Sequence, residues 1–242
     1  MREATKTRAV RSPEFYGTFM NGRVLDIGCG DDLCVPHAVP FDQQEGDANH
    51  ILSYLQPQSF DCVHSSHCLE HVLDPAQCLK DWWSLVKPGG FLITVVPDED
   101  FYEQGNWPSL FNPDHKHTFR LDGKSSWSPV SRCLPELVAS LPGAHILSAQ
   151  RQVDGYSGAK LLMTKRSSHG RVYSRPARSS RFRDLKHTAS TVARRCIVHA
   201  RLAETVIDRL LINAALATKS PIDQTLGNAL AQIEVVARKD VC

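Results

Sequence analysis

The chain has 242 residues, 42% of them hydrophobic, and a formal net charge of +2. That is apolar material for one core of ordinary size with extra segments, and too little charge for a global electrostatic pull on nucleic acid. No apolar run reaches the roughly 18 residues of a membrane span, no secretory signal pattern opens the chain, and the eight cysteines form no CxxC pair, so reduced thiols in a cytoplasmic protein are expected rather than a disulfide framework.

Residues 1–20 carry mixed charge without clear periodicity, which predicts a loose N-terminal arm with a short helix near Phe15 to Met20. Asn21-Gly22 is a turn signal, and RVLDIG (23–28) reads as a short buried strand running into glycines. FDCVHSS (60–66) is the next strand. A helix follows: Asp74 suits the N-cap and Pro75 the first helical position, Leu79, Trp82, Trp83 and Val86 share a face, and Lys87 with Pro88-Gly89-Gly90 ends it. FLITVV (91–96) has the β-branched apolar run of a central strand. Strand, helix and strand at this spacing predict a parallel α/β sheet. A second helix with Leu134, Leu137, Val138 and Leu141 leads into a strand over 144–153, and LAQIEVVAR (230–238) predicts a closing strand.

Between those last two strands, Arg and Ser dominate 166–183, and apolar residues recur at helical spacing over 188–217. Three readings are open for this basic region. It is a solvated insertion, or an amphipathic helix for an anionic membrane surface or a homodimer, or an RNA face. The last is disfavoured by sparse aromatics.

The informative motif is VLDIGCG (24–30). A strand delivers a glycine bend where a ligand can lie against main chain, yet neither GxGxxG nor a Walker lysine is present to cradle phosphate. With FDCVHSSHCLEH (60–71) and LVKPGGFLITVV (85–96), it resembles the class I S-adenosylmethionine-dependent methyltransferases of the small-molecule group. The three motifs stand in that family's order and cover roughly residues 21–120.

The resemblance implies an α/β fold: a Rossmann-like, doubly wound, mostly parallel sheet with an antiparallel C-terminal edge strand and a helical insertion. The expected divisions are an arm at 1–20, a core at 21–155 with a lid at 98–120, an insertion at 156–220 and the edge strand within 221–242. It implies S-adenosyl-L-methionine as cofactor, with Asp26, Gly28, Cys29 and Gly30 at its methionine and ribose portion. Asp42 would meet the ribose hydroxyls, Asp47 and Ala48 the adenine, and Ser65 and Ser66 the sulfonium end. Asp32 stands where the family commonly has a third glycine. The proline-bearing stretch between Gly30 and Asp42 is short, so the usual first helix is expected to be truncated or absent.

Methyl transfer is an in-line displacement that needs alignment and, for an oxygen acceptor, a nearby base. The candidates are His67, beside Glu70 and His71, and His115 or His117 on the lid that follows Asp98-Glu99-Asp100. Glu70-His71 also reads as a simple helix start with local pairing. His64, His67, Cys68 and His71 have a spacing that suggests metal ligands, but side chains alternate along a strand. No closed four-ligand set emerges, and no metal is expected. The expected function is O-methylation of a small-molecule or saccharide hydroxyl, because residues 112–119 resemble lids of methyltransferases associated with surface polysaccharides. The alternatives are a non-catalytic cofactor-binding scaffold in a biosynthetic complex and an RNA methyltransferase.

Overall fold

The computed structural model describes residues 3–123, 125–157 and 223–241. They fall into two compact units, 1–155 with 225–242, and 156–224. The basic segment 166–183 and the expected helix over 188–217 lie outside the described residues. In the second unit, the Gln224 side-chain amide both accepts from Ser157 N and donates to Ser157 O, each at 2.8 Å.

The first unit is built on a six-stranded sheet. Strands β1 (Val24–Ile27), β2 (Val39–Phe41), β3 (Phe60–Ser66) and β4 (Val86–Pro97) run parallel, in the spatial order β2-β1-β3-β4. Strand β7 (Ala144–Gln152) and strand β8 (Gln232–Lys239) complete it, β8 lying antiparallel between β4 and β7. The mostly parallel α/β sheet is as expected, but the C-terminal strand is interior and β7 is the edge. Burial gives the reason: β8 is covered from Gln232 to Ala237, whereas β7 carries polar residues and is mostly open to solvent. A separate parallel pair, β5 (Thr118–Arg120) and β6 (Ser131–Cys133), lies off the main sheet.

Alternate residues of each strand face opposite layers. Leu25, Val63, Leu92 and Val235 join the larger core beneath α3 (Pro75–Leu85) and α4 (Leu134–Ala139). Asp74 caps α3 by accepting from Ala76 N and Gln77 N. Trp82 and Trp83 bury their rings while their indole N–H groups donate to Ala48 O and Pro142 O. Val24, Cys62, Ile93 and Val236 face the other layer, where Phe15 and Phe19 pack.

The N-terminal segment is not a loose arm. It forms α1 (Glu3–Val10) and α2 (Pro13–Phe19), the latter capped by Ser12. Arg11, between the two helices, is buried and donates to Glu234 Oε2 on β8 at 2.8 and 2.6 Å. Asp32 accepts from Thr5 N at 2.7 Å and Thr5 Oγ1 at 2.6 Å, so it binds the first turn of α1 to the glycine bend. Between Ile27 and Val39 there is no helix, which matches the short proline-bearing stretch.

Candidate active site

The carboxyl ends of β1 and β3 open on one cleft of about 230 Å³. The glycine bend forms one wall. Gly28 has φ +75°, and its N–H donates to Phe41 O at 2.8 Å. A Cβ there would lie 2.5 Å from the Cβ of Cys68, so two backbones approach at a distance only glycine permits. Gly30 has φ +53° and faces open space, and its N–H donates to Asp42 Oδ2 at 2.7 Å.

Of the residues expected to hold a cofactor, Asp26, Gly28, Cys29 and Ser66 line this cleft. Asp26 is buried: one oxygen meets His64 Nδ1 at 2.6 Å and the other accepts from Cys34 N at 2.6 Å. Burial opposes its ionisation, but His64 and the Cys34 amide hold its pKa below the ordinary value. Asp26 thus ties the end of β1 to His64 and to the main chain at Cys34. Asp42 stands at the end of β2, against Gly30. Ser65 is buried behind Ser66, whose hydroxyl has no hydrogen-bond partner. Asp47 and Ala48 are not on the cleft wall. The Asp47 carboxylate faces solvent and is engaged by Asn49 and then His50, contacts that lower its pKa to about 2. Burial raises the Cys29 thiol to about 11 and raises Cys68 further, which favours the protonated thiols.

The opposite wall holds titratable groups. His67 follows β3 with φ +54°, a conformation uncommon outside glycine and one that gathers at functional sites. Its Nε2 lies 3.0 Å from Gln232 Oε1. The Gln232 amide nitrogen already donates to Gln152 and Thr7, so Oε1 accepts and His67 Nε2 carries the proton. Nδ1 then faces Glu70 Oε1 at 3.6 Å. Burial lowers the His67 pKa, but Glu70 and Glu3 outweigh it and the net shift is upward.

His115 and His117 part company. His115 is buried, lines the cleft and meets Glu103 Oε1 through Nδ1 at 2.7 Å. His117 is outside the cleft, with Nε2 at 3.3 Å from Leu73 O and a pKa lowered first by burial. The expected lid is a firmly bonded segment. It has a π-helical turn at Glu99–Glu103, capped by Asp98, and a buried Glu99 that accepts from Ser126, Thr118 and Ser131. Glu103, and the α1 residues Glu3 and Ala4 on the cleft wall, were not singled out from sequence. Nothing in the local pattern marks them, because the cleft they face is built from distant segments.

Comparison with known proteins adds a family. A family model described as a methyltransferase domain matches residues 1–125. An uncharacterised 37.1 kDa protein of transposon Tn4556 from Streptomyces fradiae is 41% identical over 46 residues, which span 19% of this chain and 13% of that protein. The fold is similar to that of a SAM-dependent methyltransferase from Archaeoglobus fulgidus, at 17% identity and TM-score 0.48, covering 99% of this chain and 95% of that one. It is also similar to the YcgJ protein of Bacillus subtilis, at 12% identity and TM-score 0.46, covering 94% and 95%. No helix among the described residues is long and apolar enough to cross a membrane.

Proposed function

The chain belongs to the methyltransferase-domain family, as a class I enzyme with S-adenosyl-L-methionine as cofactor, and from that premise we propose that it methylates an oxygen of a small-molecule or saccharide acceptor. The observation that carries the oxygen assignment is that the glycine bend and two histidines, His67 and His115, face the same cleft. An oxygen acceptor of high pKa is the kind that benefits from an adjacent proton acceptor.

The residues present fit the cofactor. Gly28 lines the cleft in a left-handed conformation, Gly30 opens on free space, and the buried Ser66 hydroxyl lacks a partner. Gly28, Cys29 and Gly30 would hold its amino-acid portion and Asp42 its ribose. When bound it supplies a methyl group on a positively charged sulfur. The protein's part is to align the acceptor oxygen and to take its proton. His67 is held by Gln232 and His115 by Glu103, so both rings are fixed at the cleft wall.

Labelled S-adenosylmethionine tests the first step. Binding at micromolar concentration is expected, with loss in Gly28→Val; retention of binding in that variant would count against the reading. For the second step, turnover is measured with hydroxyl-bearing and amine-bearing acceptors. Activity confined to amines would overturn the oxygen assignment. Binding of the cofactor without turnover on any acceptor would favour the scaffold.

A further inference from the structure

We propose that Glu70, His71 and His115 form a site for one divalent transition metal ion at the wall of the cleft. Their ligand atoms lie within 4.8 Å of one another, with Glu70 Oε1 3.8 Å from His71 Nε2 and 3.9 Å from His115 Nε2. The hydrogen-bond network sets the tautomers. His71 Nδ1 donates to Asp114 Oδ2 at 2.9 Å, and His115 Nδ1 donates to Glu103 Oε1 at 2.7 Å. A carboxylate only accepts, so in each neutral ring the proton is on Nδ1 and Nε2 carries a lone pair. Both lone pairs face Glu70, which is 1% exposed and whose two oxygens have no hydrogen-bond partner. His67 Nδ1 approaches the same oxygen at 3.6 Å. Two imidazole lone pairs and a buried carboxylate thus converge on one point, and a proton on His67 is the rival to a metal ion there. Such a point favours a cation.

The arrangement has the parts of a metal site. Two imidazoles and one carboxylate form the ligand set of catalytic zinc and non-haem iron centres with open positions. Each ligating ring is oriented by a carboxylate behind it, Asp114 or Glu103. Tetrahedral bonds of about 2.1 Å require roughly 3.4 Å between ligand atoms, so each imidazole needs to draw in toward Glu70 by only about half an ångström. The open side is the cleft. Imidazole ligands favour Zn²⁺, Co²⁺ or Fe²⁺ over Mg²⁺ and Ca²⁺, which prefer all-oxygen shells. The buried set Asp26, Cys34 and His64 differs, because the Arg11 guanidinium stands 3.4 Å from His64 Nε2 and already supplies a cation. The spacing within 64–71 does not reveal His115, which a separate loop brings in.

Metal-free protein, prepared by chelation, is titrated calorimetrically with Zn²⁺, Co²⁺ and Mg²⁺ in the absence of cofactor. One equivalent of Zn²⁺ or Co²⁺ is expected to bind at least tenfold more tightly than Mg²⁺. Glu70→Gln and His115→Ala should each abolish it, Glu103→Gln should weaken it about 10–100-fold, and His117→Ala should leave it unchanged. Thermal unfolding of the metal-free variants checks their fold. Should Glu70→Gln fail to fold, His71→Ala, whose side chain is partly exposed, makes the same test. No stoichiometric Zn²⁺ or Co²⁺ binding, or undiminished affinity in these variants, overturns the proposal and leaves a shared proton as the cation. Labelled-cofactor binding is measured separately. Its loss with metal binding intact would sink the methyl-transfer reading alone.

Discussion

The two glycines of the bend do different work, and single substitutions should separate them. At Gly28 an added methyl meets Cys68 at 2.5 Å in a left-handed backbone. Gly28→Ala is therefore expected to destabilise the fold by about 2–4 kcal/mol, from overpacking together with conformational strain. At Gly30 the methyl meets nothing within 4 Å. Gly30→Ala should cost only the strain, about 1–2 kcal/mol, and should reveal itself mainly as weaker cofactor binding. Chemical unfolding and labelled-cofactor binding on both variants read the contrast; equal stability loss would contradict it. The histidines divide likewise. His67→Asn and His115→Asn should each lower kcat by about 10²–10⁴-fold, and His117→Asn by far less, because only the first two reach the cleft. The glycine bend was legible in sequence because it is a contiguous motif. The division between His115 and His117 was not, because it depends on Glu103 and Leu73, supplied by other segments.

Among the elements, α1 and α2 were the least legible. The first is short and mostly polar, EATKTRAV, and only Ala4 and Thr7 are buried. It is held by Arg11 pairing with Glu234, 223 positions away, a contact no local pattern records. Arg11→Ala is expected to destabilise the protein by about 3–5 kcal/mol, since it leaves Glu234 as an unpaired buried charge. Denaturant unfolding measures this, and a loss below 1 kcal/mol would show that the pair does not secure the helices. The segment after β4 carries a pH signature. Burial raises Asp98 from 3.8 to about 6 even though Arg151 stands 2.5 Å away. Between about pH 4 and about pH 6 the folded state retains a proton that the unfolded chain has released, so this group's contribution to stability falls as pH rises and is flat above. Asp98→Asn lacks that dependence, and its stability relative to the native protein should increase across the window. Unfolding midpoints at several pH values test the slope.

For the whole molecule, the fold class followed from the alternation of apolar strands with a capped helix and glycine stops. Strand order did not, because apolar runs such as β4 and β8 report burial and not neighbours. The N–H and C=O groups of Ser157 both bond the Gln224 amide, so the two ends of the intervening segment lie together. Replacing residues 158–222 by a short Gly/Ser linker is expected to leave the sheet unit folded and able to bind cofactor, with an unfolding midpoint near that of the parent. A chain that no longer folds would show that the sheet depends on that segment.

The placement of β8 has a consequence for biosynthesis. It fills the gap between β4 and β7, and its Gln232 and Glu234 receive His67 and Arg11. While Gln232–Lys239 is still inside the ribosomal tunnel, the nascent chain has two bare strand edges, an unpaired arginine and an unfastened histidine. The cleft wall that carries His67 thus takes its final form only after translation has passed this strand, and until then the open edges are exposed to wrong pairing.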